Sequence, residues 1–306
     1  MYKFLTSYHY YKSQDLGKIV AATREPVMLF ADSGAFSAAS QGAEVDIRAY
    51  GKWLTKWSSI LTVASNLDVI GDYQASMKNQ RELEAMGHNV LPVFHVGSPF
   101  DQLEKLCEEY PYVALGGMVP YSTANLGPWL VKCFRIASKY DTCFHGFGQT
   151  RREYLEDFPF YSVDSSAWGK SFMFGTLELW DDKTKRFTNI KHSDQSAIYK
   201  NADLLRLHGG DPEMFLDKTK YKRAHAVKVA AVAWMRFERH LQQKHQGVKL
   251  RNNNTDKGFR LYLAETASQT IETAIEGFHL YLANTGMPNV TDAASVPLDT
   301  IYRETE

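Results

Sequence analysis

The sequence predicts an α/β protein, in which a (β/α)8 barrel of the TIM type is followed by a basic, mainly helical C-terminal extension. Over residues 1–180, short apolar runs alternate with amphipathic stretches. Buried parallel strands have such continuous apolar runs, and their alternation with helices is typical of βαβ units. Beyond residue 180 the pattern changes to a hairpin and long helices. We therefore expect a barrel domain over 1–180 and a basic segment over 181–306 that packs on it.

Eight strands in this order fit a (β/α)8 barrel, although periodicity alone leaves an open doubly wound sheet as the alternative. The strands are predicted at 2–8, 26–31, 60–70, 89–96, 112–117, 141–147, 159–164 and 171–179. Helices are predicted between several of them, at 73–87, 98–111, 127–140 and 151–158. The later elements are a hairpin over 177–190, long helices over 221–246 and 258–286, and an irregular tail from residue 287.

Composition indicates a globular protein of the cytoplasm. The chain has 306 residues, of which 44% are hydrophobic and 23% charged. No apolar run approaches the roughly 18–20 residues that span a membrane, and the N-terminus lacks the pattern of a signal peptide. The three cysteines, Cys107, Cys133 and Cys143, fit neither a disulfide framework nor a CxxC zinc pattern. We expect them to be reduced and buried, and we expect no membrane association.

The net charge is zero, but the charges are unevenly distributed along the chain. Residues 1–180 carry a net charge of −3, residues 181–260 a net charge of +9, and residues 261–306 a net charge of −6. A concentrated positive segment suits a polyanionic partner such as a nucleic acid. The alternative is a solvated helical surface whose charge the acidic tail neutralises.

Carboxylates and small residues follow several predicted strands. Asp32 ends the second strand, Asp68 follows the third and Asp164 ends the seventh. Barrel enzymes carry their ligand-binding side chains at these carboxyl ends, so the three carboxylates are predicted to line one opening. Each one alone could instead be a helix N-cap or a turn former. Two carboxylates that face one cavity can divide nucleophilic attack from proton transfer.

Six segments around these positions, taken in order, resemble the tRNA-guanine transglycosylases and their archaeal and phage relatives. These barrel enzymes exchange guanine in a nucleic acid for a 7-deazaguanine base. The resemblance covers about residues 26–168, and its strength comes from the ordered set rather than from any one motif. The segments are "ADSGAF" (31–36), "SNLDVIGD" (65–72), "VFHVGSPFDQL" (93–103), "ALGGMVPYS" (114–122), "HGFGQT" (145–150) and "SVDSSAW" (162–168).

The resemblance implies roles for individual residues. Asp164 would be the nucleophile that captures the sugar, and Asp32 would be the general acid/base. Asp68 would accept hydrogen bonds from the guanine N1–H and exocyclic amine, and Phe36 would stack on the base. The full predicted base-binding set is Ser33, Gly34, Phe36, Asp68, His95, Gly116, Gly117, Met118 and His145.

The chain also departs from the family pattern. Val96 replaces the glutamine before Gly97, with His95 as a candidate substitute, and Ala35 replaces the second glycine of the DSGG segment. The cysteine cluster that binds zinc in the tRNA enzymes is absent, because no cysteine follows Cys143. We therefore predict no cofactor and no metal site, while zinc bound by His and Asp over 181–260 stays open.

These losses fall in the part that would bind the nucleic acid, whereas the base-exchange residues are retained. The compact, zinc-cluster-free phage-type relatives that modify DNA match this description best. The chain is therefore predicted to exchange guanine in DNA for a free 7-deazaguanine base such as 7-cyano-7-deazaguanine (preQ0), in a host cytoplasm if it is phage-encoded. The predicted DNA-facing residues are Lys218, Lys220, Lys222, Arg223, Arg236 and Arg239. Trp168 would either brace the gap left by an extruded nucleotide or belong to the core.

Three alternatives stay open at this stage. The same chemistry could act on tRNA, the barrel could bind nucleic acid without catalysis, or paired carboxylates could serve a barrel glycosidase. The retention of Asp32, Asp68 and Asp164 argues against a decayed pocket, and the basic segment fits a glycosidase poorly. The sequence leaves undecided which 7-deazaguanine is used, the target sequence, the strandedness of the DNA, a homo-oligomeric state and the need for a partner protein.

Overall fold

The computed structural model describes residues 1–23, 26–119, 121, 123–169, 174–217, 219–220, 223–251 and 258–264. Within these ranges the chain is an α/β protein with one eight-stranded parallel sheet and a separate two-stranded hairpin. The strands are β1 (Tyr2–Ser7), β2 (Val27–Asp32), β3 (Leu61–Ala64), β4 (Val93–His95), β5 (Tyr112–Gly116), β6 (Cys143–Gly146), β7 (Ser162–Ser165), β8 (Thr176–Asp181), β9 (Arg186–Lys191) and β10 (Arg260–Ala264).

The parallel sheet has the strand order β3-β2-β1-β10-β7-β6-β5-β4. Its two outer strands, β3 and β4, approach each other through a parallel bridge between Ser65 and Leu91. The backbone N–H of Leu91 donates to the carbonyl of Ala64 at 2.8 Å, and the N–H of Asn66 donates to the carbonyl of Leu91 at 2.9 Å. The sheet is therefore curled, as is compatible with a TIM-like barrel.

Helices connect the strands of the sheet, as the alternating pattern predicts. They are α1 (Tyr8–Tyr11), α2 (Leu16–Ala22), α3 (Ala35–Ser40), α4 (Ile47–Trp57), α5 (Tyr73–Ala85), α6 (Phe100–Glu109), α7 (Thr123–Ala137), α8 (Arg152–Asp157), α9 (Gln195–Lys200), α10 (Ala202–Leu207), α11 (Pro212–Leu216) and α12 (Arg223–Lys244). Asp72 caps α5 by accepting from the N–H of Ala75, so this strand-end carboxylate is a helix N-cap.

Two apolar clusters fill the two sides of the sheet. The larger one lies between the strands and the helices and includes Leu29 and Ala31 of β2. The smaller one lies on the other face and includes Phe30 of β2 and Tyr262 of β10. Because side chains alternate along a strand, Asp32 shares the inner face with Phe30, two residues before it. The carboxyl end of the inner face is therefore where a polar site can form.

The predicted eighth strand is wrong. Residues 176–179 of the predicted strand 171–179 belong to β8, which pairs with β9 as an antiparallel hairpin. The eighth parallel strand is β10, which lies between β7 and β1 and begins in the segment predicted as a helix over 258–286. A five-residue apolar run is ambiguous between a buried strand and a buried helix, and the run "RLYLA" was interpreted as helix. The parallel sheet thus includes residues from both predicted segments, and 265–306 lie outside the described residues.

The long helix α12 packs on the hairpin and on β10. Phe237 lies against Trp180 of β8 at a ring-centroid distance of 4.8 Å, and Phe187 of β9 contacts both Phe237 and Trp234. The predicted helix over 221–246 is confirmed over Arg223–Lys244, and the predicted hairpin is confirmed by β8 and β9. No helix in the described part of the chain combines the length and apolar character needed to cross a bilayer.

Candidate active site

Two hydrogen bonds, one from the loop after β2 and one from the residue after β3, hold the Asp32 carboxylate. Ser65 Oγ donates to Asp32 Oδ1 at 3.1 Å, and the N–H of Gly34 donates to Asp32 Oδ2 at 3.1 Å. Gly34 has φ 73°, a conformation that side chains with a Cβ rarely adopt. A Cβ at this position would also lie 2.3 Å from Ser7 Oγ. The small residues after Asp32 therefore let the backbone turn back onto the carboxylate.

Asp32, Asp68 and Asp164, the carboxylate cluster, come together as their positions at strand ends predict. The pKa of Asp32 is raised to about 7. Burial is the largest cause, and the negative charges of Asp68 and Asp164 add to it. The hydrogen bonds from Ser65 and Gly34 oppose this rise, because they favour the charged form. The protonated and the ionised form of Asp32 are therefore both accessible near neutral pH.

Asp68 is paired with His95, and glycines make room for this pair. His95 Nε2 lies 2.8 Å from Asp68 Oδ2, and both side chains are largely buried. A Cβ on Gly116 would lie 2.9 Å from His95 Cδ2, so a larger residue would displace the imidazole ring. Gly116 thus has a packing reason in this structure, in addition to the ligand-facing role that the sequence predicts, whereas a Cβ on Gly117 would lie no closer than 3.5 Å to any neighbour.

Asp164 lies on the inner face at the end of β7 and is 7% exposed. Its Oδ1 accepts a hydrogen bond of 2.8 Å from the N–H of Gly148, in the loop after β6. His145 Nε2 lies 3.4 Å from the same oxygen. Two groups from the β6 region therefore face one oxygen of the predicted nucleophile.

His145 does not face the opening, which corrects its predicted place among base-binding residues. The side chain is completely buried beneath Asp164, and its ring packs on Phe30 with centroids 4.5 Å apart. Its Nδ1 is 2.6 Å from Ser162 Oγ, which in turn hydrogen-bonds to the hydroxyl of Tyr112. The positions of Ser162 and Tyr112 next to His145 were not predicted, because a serine and a tyrosine inside apolar strands carry no local sequence signal.

The other predicted base-binding residues occupy different depths. Phe36 is 73% exposed on α3, at the edge of the opening, whereas Ser33 is buried next to Ser65. The side chain of Met118 is buried and contacts Gln149 Nε2 through its sulfur at 3.7 Å. Met118 can therefore offer a ligand its backbone rather than its side chain. Gly117 has φ 73° and is exposed.

Trp168 belongs to the core. It is 3% exposed, and its indole N–H donates to the carbonyl of Ala264 at 2.8 Å. Of its two interpretations, the packing one is therefore confirmed. Four exposed apolar side chains lie on segments that directly follow strands of the parallel sheet, and we call them the apolar rim: Phe36 on α3 after β2, Ile70 after β3, Val119 after β5 and Phe174 after β7. Sequence analysis did not single out this apolar rim beyond Phe36.

The predicted DNA-facing residues divide between two ends of α12. Glu238 pairs with Lys3 and accepts from the N–H of Leu261, at the amino ends of β1 and β10. Arg239 is exposed next to it. Arg223 begins the helix, about 24 Å away at 1.5 Å per residue. Lys218 and Lys222 lie outside the described residues.

Arg236 has a partner within the fold. It forms an ion pair with Asp182 of the hairpin, and only 19% of its side chain is exposed. Lys220, by contrast, has a 57% exposed side chain and a 3.5 Å ion pair with the neighbouring Asp217. Lys220 is thus an exposed lysine with a local ion pair, whereas Arg236 connects the helix to the hairpin.

The described residues include no group of three or more His, Cys, Asp or Glu side chains arranged to hold a metal ion. Cys107, Cys133 and Cys143 are free thiols and are buried, as their spacing predicts. Burial raises the pKa of Cys107 to about 12, so this thiol stays protonated and unreactive at neutral pH.

Replacing Gly34 with alanine is expected to destabilise the protein by about 3 kcal/mol or more. The added methyl group would clash with Ser7 and His9 and would force a left-handed backbone conformation on alanine. Gly42→Ala is the matched control, because Gly42 has φ 66° with open space around its Cβ position. We expect Gly42→Ala to lower the free energy of unfolding by only about 1 kcal/mol. Urea unfolding measures this free energy for both variants, and equal losses would show that the contacts of Gly34 with Ser7 and His9 are not the cause.

The chain was compared with models of known protein families and with curated proteins, and neither comparison finds a match.

Proposed function

We propose that this protein is a DNA-guanine transglycosylase, which replaces guanine in DNA with a 7-deazaguanine base such as 7-cyano-7-deazaguanine. The observation that carries the proposal is the carboxylate cluster at the carboxyl ends of the parallel strands, in which Asp32 has a pKa of about 7. The curled sheet fits a (β/α)8 barrel, in which catalytic residues occupy this end.

The two aspartates have complementary tasks in this reaction. The Asp164 carboxylate attacks C1′ of the deoxyribose while the bond from C1′ to N9 of guanine breaks, which leaves a covalent glycosyl–aspartate. Asp32 in its acid form donates a proton to the departing base. The incoming base then gives its N9 proton to the Asp32 carboxylate, and its nitrogen attacks C1′ and releases Asp164. Atoms and charges balance over the cycle without a nucleotide cofactor.

The environment of Asp32 suits a group that must act in both directions. A general acid/base works best when its pKa is close to the operating pH, since both forms are then available. An ordinary exposed aspartate would be almost entirely ionised at pH 7. Three carboxylates this close are unfavourable for folding, which disfavours the alternative of a non-catalytic barrel.

Base recognition is assigned to the Asp68 side of the opening. Asp68 accepts from the N1–H and the exocyclic amine of guanine or of a 7-deazaguanine, which share this edge. The 2.8 Å contact with His95 orients the Asp68 carboxylate for this purpose. The backbone of Gly117 and Met118 reads the remaining edge, and the exposed ring of Phe36 stacks on the base.

DNA is the preferred polymer in this proposal, because the chain lacks the cysteine cluster of the tRNA enzymes and carries the positive segment 181–260. The target nucleotide must leave the base stack before its C1′ can reach Asp164. The exposed apolar rim offers surfaces on which neighbouring bases can rest. A cytoplasmic location follows, since the DNA and the free base would be present there.

Lys220 and Arg223 are expected to contact phosphates, whereas Arg239 is not. The double variant Lys220→Ala/Arg223→Ala should lower the slope of log affinity against log salt concentration by about 2, since each phosphate contact contributes about 0.9. Arg239→Ala, at the other end of α12, is the matched control and should leave the slope unchanged. Fluorescence anisotropy with a labelled oligonucleotide at several KCl concentrations measures the slopes. An equal loss in both variants would contradict the assigned orientation of the DNA.

The proposal is tested by offering the purified protein radiolabelled 7-cyano-7-deazaguanine with duplex DNA, single-stranded DNA or unmodified tRNA. Label in DNA supports the proposal, and the two DNA samples define the required strandedness. Label in tRNA alone would keep the chemistry but overturn the choice of polymer. Release of guanine without incorporation of label would instead indicate a hydrolase.

A further inference from the structure

We propose that Tyr112, Ser162 and His145 form a buried hydrogen-bond relay that fixes the Asp164 carboxylate, with His145 as a neutral donor through its Nε2–H. All three are positioning residues, because they act through Asp164 and do not touch the substrate. The inference rests on the proposed function for the role of Asp164, but its first test does not depend on that function.

Two hydrogen bonds and one longer contact form a chain across three neighbouring strands, in which the His145–Asp164 step is at ion-pair distance and His145 Nε2 has no hydrogen bond of normal geometry to the described residues. The Tyr112 hydroxyl of β5 meets Ser162 Oγ of β7, and Ser162 Oγ lies 2.6 Å from His145 Nδ1 of β6. His145 Nε2 lies 3.4 Å from Asp164 Oδ1. The strand register explains this proximity, since His145 is paired with Ser162 in one direction and with Ala114 in the other.

The direction of the hydrogen bonds follows from the chemistry at the Asp164 end. An ionised carboxylate only accepts, so the Nε2 that faces it must carry the hydrogen. In a neutral imidazole Nδ1 is then an acceptor and takes the hydrogen of the Ser162 hydroxyl. Ser162 Oγ in turn accepts from the Tyr112 hydroxyl. The reverse direction would place the Nε2 lone pair against the carboxylate, which is repulsive.

The surroundings of His145 favour the neutral ring. Burial lowers its pKa below the usual value, although Asp164 opposes this shift. Aromatic rings of Phe30, Phe147 and Tyr262 lie within 4.5 to 6.4 Å of the imidazole. The titratable groups that face the ring are Asp164 and Tyr262, with Tyr112 reached through Ser162. Packing of this kind makes it difficult for water to replace a lost member of the relay.

Ser162, His145 and Asp164 are connected in the same order as the members of a Ser-His-Asp triad. Their exposure, however, makes Asp164 rather than Ser162 the residue that can meet a substrate. Ser162 is completely buried and hydrogen-bonded to Tyr112, whereas Asp164 is the member that reaches the opening. Ser162 is therefore not a candidate nucleophile. Both contacts to Asp164, from His145 and from the N–H of Gly148, engage Oδ1. Oδ2 is then the oxygen that attacks C1′, in a carboxylate that can no longer rotate freely.

The first test is the tautomer of His145 in the full-length protein, without any substrate. Nitrogen NMR of ¹⁵N-histidine-labelled protein, with His145 assigned by its loss in His145→Gln, distinguishes the two tautomers and the imidazolium. We expect the Nε2–H tautomer at neutral pH. An Nδ1–H tautomer, or a charged ring at pH 7, would overturn the relay whatever reaction the protein catalyses.

The second test separates positioning from packing. Tyr112→Phe should lower kcat for base exchange about tenfold with KM unchanged, because only the orientation of Asp164 is impaired. Tyr262→Phe removes a hydroxyl from a buried tyrosine on the neighbouring strand and should leave kcat unchanged. In His145→Ala, kcat should fall about 100-fold. His145→Gln should recover part of this loss, because its amide can donate to Asp164. Equal kcat values in Tyr112→Phe and Tyr262→Phe, at equal thermal stability, would overturn the relay.

If the wild type itself showed no exchange while the tautomer is as expected, the proposed function would fail and the relay would stand.

Discussion

Replacing Asp164 with asparagine is expected to reduce base exchange by a factor of about 1,000 or more. The amide is isosteric with the carboxylate but lacks the negative charge needed to capture C1′, so no covalent intermediate can form. Incorporation of labelled 7-cyano-7-deazaguanine into DNA measures the loss. Asp164→Ala should behave in the same way.

Asp101→Asn serves as the matched control for this experiment. Asp101 is an exposed carboxylate in the first turn of α6, and its pairing with Lys105 is loose at 3.9 Å. We expect this variant to keep the activity of the wild type. An Asp164→Asn protein that folds normally and retains more than about a tenth of the wild-type rate would refute the assignment of the nucleophile.

Asp32→Asn is expected to stop turnover and, at the same time, to stabilise the fold at alkaline pH. Turnover should fall by about 100-fold or more, since the amide cannot exchange protons with the leaving and incoming bases. Binding of the free base should persist, because Asp68 is unchanged. Base binding by calorimetry and incorporation of label measure the two properties independently.

The stability effect has a defined sign. The pKa of Asp32 is about 7 in the folded state, against 3.8 for an unperturbed aspartate. The folded state therefore holds this proton more tightly, and wild-type stability falls as pH rises from about 4 through 7. Asparagine removes this penalty, so the gain should be about 4 kcal/mol at pH 8 and about 2 kcal/mol at pH 5. Urea unfolding at both pH values tests this expectation. A gain in the free energy of unfolding of the same size at both pH values, or a loss at pH 8, would contradict the raised pKa of Asp32.

Seven of the eight parallel strands could be predicted from the sequence, because buried parallel strands are continuous apolar runs that stand out between amphipathic helices. The eighth could not. "TLELWD" has strand character but belongs to a hairpin, whereas "RLYLA" was hidden at the start of a longer apolar stretch. Local pattern determines secondary structure better than it determines which strands become neighbours.

The carboxylate cluster could be predicted as well, because parallel strands bring their carboxyl ends to one side of a sheet. Asp32, Asp68 and Asp164 are 36 to 132 residues apart in sequence, yet this rule places them together. The rule does not predict how deeply each side chain is buried. It therefore did not separate the exposed Phe36 from His145, which lies beneath Asp164.

Pairings between distant polar residues were beyond sequence analysis. Tyr112 and Ser162 are 50 residues apart, and Arg236 and Asp182 are 54 apart. A single sequence carries no signal for such contacts, because each residue alone fits an ordinary strand or a charged helix surface. Register and packing decide these partners, and both depend on the completed fold.

The most direct test of the account is the mass of the intact protein after incubation with a guanine-containing oligodeoxynucleotide and no acceptor base. The account predicts an adduct whose mass equals that of the protein plus the oligonucleotide minus guanine. Peptide mapping should place it at Asp164, and it should disappear when 7-cyano-7-deazaguanine is added. Base exchange that proceeds with no such adduct, or an adduct at another residue, would contradict the account.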